Sequence, residues 1–415
     1  MRSLAFLSIL GGIAIVVDLY FYQAFKIKFF DNSLSKWSYW IGSVLLLVSL
    51  LTTMYLYQAK DAPKFLTPLR GIAFAFFVGK LVGLAPIIID DVLRLVRLIA
   101  SGIGKPILEA DASNGISRLE FLKKSALGVG GLMAATLTYG VVVGRFNFTK
   151  VKRKVKIKNW PESLSQLRII QISDIHLGSF TSTKPIEEAV RLINEEKPDF
   201  VFFTGDLVNS FAWEAEPFVD ALKAIDAKHG VYSILGNHDY ADYAGLNRKN
   251  PEDNQAWLQN HHEMLDIHKR MGFKLMLNAH EEINIDGAKF NLVGIENWGV
   301  GGFSKYGDLS KAVEGMNTEL PTVLLSHDPS HWEEQVQKDA PFIDLHLAGH
   351  THGMQFGIEL GKFKWSPVQW KYKQWADLYA SESGQQIYVN RGLGHVGYPG
   401  RVGIMPEISI LSFEA

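Results

Sequence analysis

Seven residues able to ligate metal recur in order from the middle of this chain onward, in five short groups. The groups are Asp174-Ile175-His176, Gly205-Asp206, Gly236-Asn237-His238-Asp239, Ser326-His327 and Gly349-His350-Thr351-His352. Two Asp, four His and one Asn make up the donor set, with His238 left over. That is too many donors for one tetrahedral zinc, and it suits two metals sharing a bridging carboxylate. Two divalent ions about 3.5–4 Å apart generate a hydroxide near neutral pH and neutralise phosphoryl oxygens, which is what hydrolysis of a phosphate ester requires. Mixed nitrogen and oxygen donors fit Mn, Zn, Fe or Co better than Mg or Ca. The chain has no cysteine, so thiolate ligation and disulfides are excluded. His238 stands beside Asn237 and is the natural proton donor or phosphate contact.

Each group follows a short apolar run that reads as a buried strand: 168–173, 199–204, 230–235, 322–325 and 343–348. The donors therefore sit where strands end, the edge at which open α/β sheets bind ligands. Helical patterns alternate with the strands at 185–196, 214–228 and 251–271. In the first, Ile186, Ala189, Val190 and Ile193 share one face and Pro185 stands in the first turn. Such alternation predicts parallel sheet covered by helices. Later runs at 273–277, 290–294, 386–389 and 407–413 predict a second sheet packed on the first.

The ordered motifs D-x-H, G-D, G-N-H-D, H and G-H-x-H resemble those of the calcineurin-like metallophosphoesterases, over roughly residues 168–413. The resemblance implies a two-sheet β-sandwich with helices on both outer faces. It implies one divalent metal at Asp174, His176, Asp206 and His352, and a second at Asp206, Asn237, His327 and His350. Asp206 would bridge them and His238 would be the catalytic histidine. Asn209 stands where several family members carry an Asp that orients that histidine, so the resemblance leaves the partner of His238 unassigned. Gly353-Met354-Gln355 likewise departs from the Gly-Gly-Gln of many relatives. The stretch 390–394 and the later Pro406-Glu407-Ile408 are similar to a membrane-anchored, YaeI-like phosphodiesterase subgroup. Relatives there act on lipid-linked or other phosphodiesters or pyrophosphates, so a phosphodiester or pyrophosphate, lipid-linked or not, is the expected substrate rather than a monoester.

Before residue 145 the composition changes sharply. Apolar runs of transmembrane length cover 4–25, 39–57, 71–89 and 125–143. The first could be mistaken for a signal peptide but lacks a clean cleavage site, and reads as a retained anchor. Trp37, Tyr39, Trp40, Tyr55 and Tyr57 flank the second like interfacial anchors. The expected organisation is an all-α transmembrane bundle over 1–144, a basic linker and first strand over 145–163, and the α/β catalytic domain over 164–415. The linker lysines either meet anionic lipid headgroups or edge a solvated strand. Asp18 and Lys80 interrupt the apolar runs; intramembrane charges are costly, so they either pair or reach an interface separately. A multi-pass protein of a bacterial-type inner membrane is expected. Residues 117–124 resemble a degraded twin-arginine signal, which favours the catalytic domain on the outer face; an enzyme of lipid precursor synthesis would face the cytoplasm instead.

Membrane lipids are thus expected partners. The net charge of -1 argues against nucleic acid. The segment 362–375 interleaves Trp and Lys and follows His352 closely, so it suits either a membrane-facing mouth or a packed lid. Arg391 and Arg401 are candidates for a second phosphate or headgroup, or else structural ion pairs. His395 lies in a glycine-rich loop that could approach the site. His229, His261, His262, His268, His280, His331 and His346 read as surface or packing residues. Two other functions fit less well. A non-catalytic scaffold on this fold would be expected to lose motif residues that this chain keeps. A sensor or transporter would need more intramembrane charge.

Overall fold

The computed structural model describes residues 4–26, 31–56, 63, 65–100, 117–361 and 363–415. Tyr57 and Lys362, named above, lie outside them. The chain divides into two units, Met1–Val142 and Val143–Ala415.

The first unit is helical: α1 (Leu4–Phe25), α2 (Ser33–Tyr55), α3 (Leu66–Gly83), α4 (Ala85–Ala100) and α5 (Arg118–Val142). Four helical stretches, 5–25, 33–55, 66–100 and 118–146, are long and apolar enough to cross a membrane. The bounds differ from the apolar runs for identifiable reasons. α2 starts at Ser33 because the Asn32 side chain accepts from Ser35 N at 2.8 Å and caps it. The third run ends at residue 89 because Asp90 and Asp91 follow, yet the helix continues. Asp90 is buried and satisfied by Arg94 Nε at 2.8 Å and by Arg118. Pro86, which has no N–H to donate, marks the break between α3 and α4.

Two devices hold these helices together. On α3, Gly79 and Gly83 meet Ala126, Gly130 and Ala134 of α5. A Cβ on Gly79 would stand 2.7 Å from the Gly130 carbonyl oxygen, and one on Gly83 2.6 Å from that of Ala126. Small residues at this spacing let two backbones approach where lipid offers no hydrophobic drive. The second device is polar. Lys80 pairs with Asp18 and lies 2.7 Å from Ser43 Oγ, which donates to Asp18 Oδ1 at 3.0 Å. Tyr39 donates to the Asp18 carbonyl at 2.7 Å. Of the two readings of Asp18 and Lys80, the structure shows the pair.

The second unit contains two six-stranded sheets. Its strands are β1 (Thr149–Lys156), β2 (Ile169–Ile172), β3 (Phe200–Phe203), β4 (Val231–Ser233), β5 (Phe273–Leu275), β6 (Ala279–Ile285), β7 (Ala288–Gly294), β8 (Thr322–Leu325), β9 (Leu345–Ala348), β10 (Ile358–Leu360), β11 (Phe363–Trp365), β12 (Asp377–Ala380), β13 (Gln386–Val389) and β14 (Glu407–Glu414). The orders are β1-β14-β2-β3-β4-β5 and β12-β13-β9-β8-β7-β6, with β10 and β11 as a separate hairpin. Alternate residues of one strand enter different cores. Phe200 and Phe202 of β3 meet Phe290, Leu292 and Leu345 between the sheets. Val201 and Phe203 pack outward with Ile186 and Ile193 of α6 (Lys184–Glu195) and with Met264. Leu324 and Ile387 do the same on the far face with Trp332 and Val336. Both faces of both sheets are covered, which is why β3 reads Phe-Val-Phe-Phe without alternation.

One expectation changes. Residues 214–228 do not form one helix: a tight turn spans Ala212–Phe218 and α7 covers only Val219–Lys223. Pro217 lies at the change, since its ring and missing N–H oppose a continuous α-helix. Of the two readings of the basic linker, the structure shows the strand edge: it forms β1, parallel to β14 at the margin of its sheet. Three of its five cations are partnered: Lys150 with Glu196 at 2.8 Å, Arg153 with Asp377 at 2.7 Å and Lys154 with Glu414 at 3.2 Å.

Overpacking a tight helix crossing costs about 1–3 kcal/mol. Gly83→Val is therefore expected to lower the melting temperature in detergent, whereas Gly12→Val, where a Cβ meets nothing within 4 Å, leaves it unchanged.

Candidate metal centre

The donor groups emerge from the ends of β2, β3 and β4 in one sheet and of β8 and β9 in the other. The chain turns sharply there. Asp174, His176, Asp206, His350 and His352 all have φ between 50° and 70°, a left-handed conformation that costs energy for a side chain bearing a Cβ. Such strain persists because neighbouring backbones fix it. Asp174 N donates to Gly205 O at 2.9 Å, and His350 N donates to Asp174 Oδ2 at 2.9 Å. Glycine precedes the donors for space: a Cβ at Gly236 would collide with Asp206, and one at Gly349 with Ser173 and Asp174.

Two sets of donor atoms converge, Asp174/His176/His352 and Asp206/His327/His350, each with its atoms within 4.8 Å of one another. Asp206 lies between them. Its Oδ2 is 3.5 Å from His176 Nε2 and 3.1 Å from His327 Nε2. Asn237 Oδ1 adds a further donor, 2.7 Å from His350 Nδ1.

The hydrogen bonds around this cluster fit a cation. His176 Nδ1 is 3.1 Å from the Val208 carbonyl, and His327 Nδ1 is 2.7 Å from that of Thr204. A carbonyl only accepts, so both Nδ1 atoms carry the hydrogen and both Nε2 lone pairs point inward. His176 Nε2 faces His352 Nε2 at 3.0 Å. His327 Nε2 is buried and faces the Asp206 carboxylate. Inward lone pairs beside buried carboxylates are what a divalent ion requires.

The electrostatics agree. Burial opposes ionisation of Asp206, but His327 and His238 outweigh it and hold the carboxyl well below its usual range. Asp174 is lowered in the same way, against burial, chiefly by His352. Burial also opposes charge on His327, yet Asp206 and Asp174 raise it to about 10. The cluster is a buried anionic pocket that draws in positive charge.

His238 is half-buried beside this cluster. Its backbone N–H donates to Asp206 Oδ1 at 2.8 Å, and its ring stacks on Tyr243 with centroids 4.0 Å apart. Nδ1 lies 2.6 Å from the backbone carbonyl of Asn209. The orienting partner is thus main chain, while the Asn209 amide turns to Ser179 Oγ at 2.9 Å. No pattern of side chains could have disclosed this.

Other members of the site went unread. Asp239 accepts from the amides of Asp206, Leu207, Val208 and Gly236, at 2.8–3.2 Å, and so ties the loop after β3 to the loop after β4. Tyr372 OH stands 2.7 Å from His350 Nε2. Asp328 Oδ2 lies 3.5 Å from the same nitrogen. The available signal was the repeated His-Asp pair at 238–239 and 327–328; Tyr372 had none beyond its place in 362–375.

Both arginines are engaged within the fold, and Arg401 Nη2 also lies 3.2 Å from His352 Nδ1. Arg391 and Arg401 are both buried. Arg391 pairs with Glu407 and, at 2.7 Å, with Glu359. Arg401 donates to the carbonyls of Gly394 and Arg391, each at 2.8 Å. The glycine-rich loop does reach the site through its backbone, with Gly394 N donating to Asp174 O at 2.8 Å. The His395 ring turns away and packs on Phe180, 5.3 Å between centroids.

Comparison with known proteins matches two family models. One, described as probable calcineurin-like phosphoesterase, transmembrane domain, covers residues 1–145; the other, calcineurin-like phosphoesterase, covers 167–354. A transmembrane protein with metallophosphoesterase domain from Danio rerio is 28% identical over 292 residues, 67% of this chain and 60% of its own. The uncharacterized metallophosphoesterase YkuE of Bacillus subtilis is 27% identical over 310 residues, 72% of this chain and 98% of its own. UDP-2,3-diacylglucosamine pyrophosphatase LpxG of Chlamydia muridarum is 28% identical over 271 residues, 56% of this chain and 79% of its own. The chain thus spans less than two thirds of the length of the zebrafish relative.

One acidic residue behind the site titrates unusually. Burial pushes Glu214 up to about 7, opposed by amide donation from Asn209, Phe211 and Ser210. The folded value lies above the unfolded one of about 4.3, so the contribution is full below that pH and is lost as pH rises to about 7. Glu214→Gln is expected to flatten this decline in unfolding free energy, on the order of 3 kcal/mol across the window, in denaturant titrations between pH 4.5 and 7.5.

Proposed function

Since this chain belongs to the calcineurin-like phosphoesterases and carries the transmembrane domain found with them, we propose that it hydrolyses a phosphodiester or pyrophosphate attached to a lipid. Asp174, His176, Asp206 and His352 would hold one divalent ion. Asp206, Asn237, His327 and His350 would hold a second. The carrying observation is the Asp206 carboxylate between His176 and His327, with imidazole lone pairs turned inward on both sides. Mixed nitrogen and oxygen donors favour Mn, Zn, Fe or Co. Divalent ions in such a pair supply hydroxide at neutral pH and counter phosphoryl charge.

The chain's own residues do the rest. Asp206 accepts the His238 amide, so the bridging carboxylate and this imidazole are held in one frame. With Nδ1–H given to the Asn209 carbonyl, Nε2 is the nitrogen left to face the leaving oxygen, and it would give that oxygen its proton from the imidazolium form. Stacking on Tyr243 restricts the ring to one plane. Two features support a lipid-linked substrate: the four apolar helices, and a relative named for a diacylated sugar nucleotide.

The test is hydrolysis by detergent-purified protein stripped of metal and refilled with Mn, Zn or Mg. The substrates are bis-para-nitrophenyl phosphate, para-nitrophenyl phosphate and UDP-2,3-diacylglucosamine. Turnover is expected only with metal, and faster on the diester or pyrophosphate. A metal-replete protein inert on all three would overturn the proposal. Asp206→Asn is expected to abolish turnover and lower metal content by elemental analysis. His238→Ala should retain metal and lose about 10²–10⁴-fold in kcat. Asn209→Ala should stay within about tenfold of wild type, because the acceptor for His238 is backbone.

A further inference from the structure

The hairpin of β10 and β11 is folded inside out. Register pairs Ile358 with Trp365, Glu359 with Lys364 and Leu360 with Phe363. One face therefore carries Ile358, Leu360, Phe363 and Trp365, and the other carries Glu359 and Lys364. A hairpin on a water-soluble surface turns its apolar face to the protein. Here the charged face turns inward: Glu359 binds buried Arg391 at 2.7 Å, and Lys364 binds Asp377. The apolar face is left outward, with Leu360 72% and Phe363 60% exposed. Trp370, on the following turn, is 78% exposed and lies edge-on to Trp365, 6.3 Å between centroids.

This surface is rooted in the metal centre. Ser366 donates to the carbonyl of Gly353, next to His352, at 2.8 Å. Thr351, between His350 and His352, donates to the Trp375 carbonyl at 2.7 Å. Tyr372 reaches His350. Of the two readings of 362–375, the base is a packed lid: Trp375 is buried and Lys364 is ion-paired. The rim is different. From Leu360 to Ala376 the sequence has lysines and no acidic residue. Lys371 lies over the Phe303 and Tyr372 rings, and Lys373 is 3.4 Å from Glu333.

We infer that Leu360, Phe363 and Trp370 dip into the headgroup–acyl boundary of a bilayer carrying anionic lipid, so that the metal centre opens at lipid level. Exposed aliphatic and aromatic side chains flanked by lysine are what such a boundary accommodates. Other occupants fit less well. A second copy would bring the same lysines face to face. A water-soluble partner would leave unexplained why the charged face is the one turned inward. The inference deepens the proposed function and rests on it only for how substrate arrives; docking itself does not depend on catalysis.

Because the chain has no cysteine, Leu360→Cys, Phe363→Cys and Trp370→Cys can each carry one nitroxide on the full-length protein. Reconstitution uses vesicles of palmitoyl-oleoyl phosphatidylglycerol and phosphatidylcholine, with exposed Glu263→Cys on α8 (Pro251–Met271) as the aqueous control. Power saturation compares collisions with oxygen and with a water-soluble nickel chelate. The expected oxygen-to-nickel ratio is several-fold higher at 360, 363 and 370 than at 263. Ratios equal to the control would overturn the inference. So would shielding from both reagents with spin–spin broadening, which marks a second copy. In a second arm, Leu360→Ser with Phe363→Ser is expected to raise KM for vesicle-borne UDP-2,3-diacylglucosamine several-fold and leave bis-para-nitrophenyl phosphate kinetics unchanged. An equal loss on both substrates counts against it. A protein inert on both substrates defeats the proposed function alone, since the depth measurement still decides docking.

Discussion

Two carboxylates buried where neighbouring strands of one sheet end, facing the other sheet, are the constraint on which the second unit is built. Asp174 and Asp206 are almost wholly removed from water. Ionised carboxylates in such a place are very unfavourable unless positive charge or hydrogen-bond donors meet them. The neighbourhood supplies both. His350 and His238 donate backbone amides to them, and imidazoles press against them from both sheets. Asp239 braces the strands' ends by gathering four amides, and burial together with Asp206 raises it to about 7. The left-handed residues and the crowded glycines follow from the same demand. Side chains from five loops must reach one point, and only a strained backbone brings them there.

The membrane unit obeys the same rule on a smaller scale. Asp18 is tolerated because Lys80, Ser43 and Tyr39 surround it. Asp90 is tolerated because Arg94 and Arg118 do. Where no polar group must be matched, small residues take over, and α3 meets α5 through Gly79, Gly83 and Gly130. Charge pairing and close backbone contact together replace the hydrophobic drive that holds the sheets of the other unit.

The donors and the sheets that carry them were readable because each donor follows a run of residues buried on both faces. That combination leaves a strong local signal, while the sandwich with outer helices came from the family resemblance. The helical run at 214–228 misled because its apolar spacing outweighed a single Pro217, whose backbone effect is local and decisive. The extension of α4 past residue 89 was hidden for the opposite reason: Asp90 looks like an end until Arg118, distant in sequence, neutralises it. Tyr372, the staple role of Asp239 and the inverted hairpin are long-range facts. They depend on which face of a short element turns inward, and three-residue strands such as β10 and β11 are too short to show a period.

The main-chain acceptor for His238 has a consequence for how such sequences diverge. A side chain that orients an imidazole is held by selection, because substituting it removes the contact. A carbonyl oxygen belongs to every amino acid alike, so position 209 is released to drift provided the loop path is kept. Its present amide serves Ser179 instead. Any classifier that demands a carboxylate there would reject this chain while the imidazole remains aligned. In this chain the alignment of His238 is set by the loop's path, whatever side chain stands at 209.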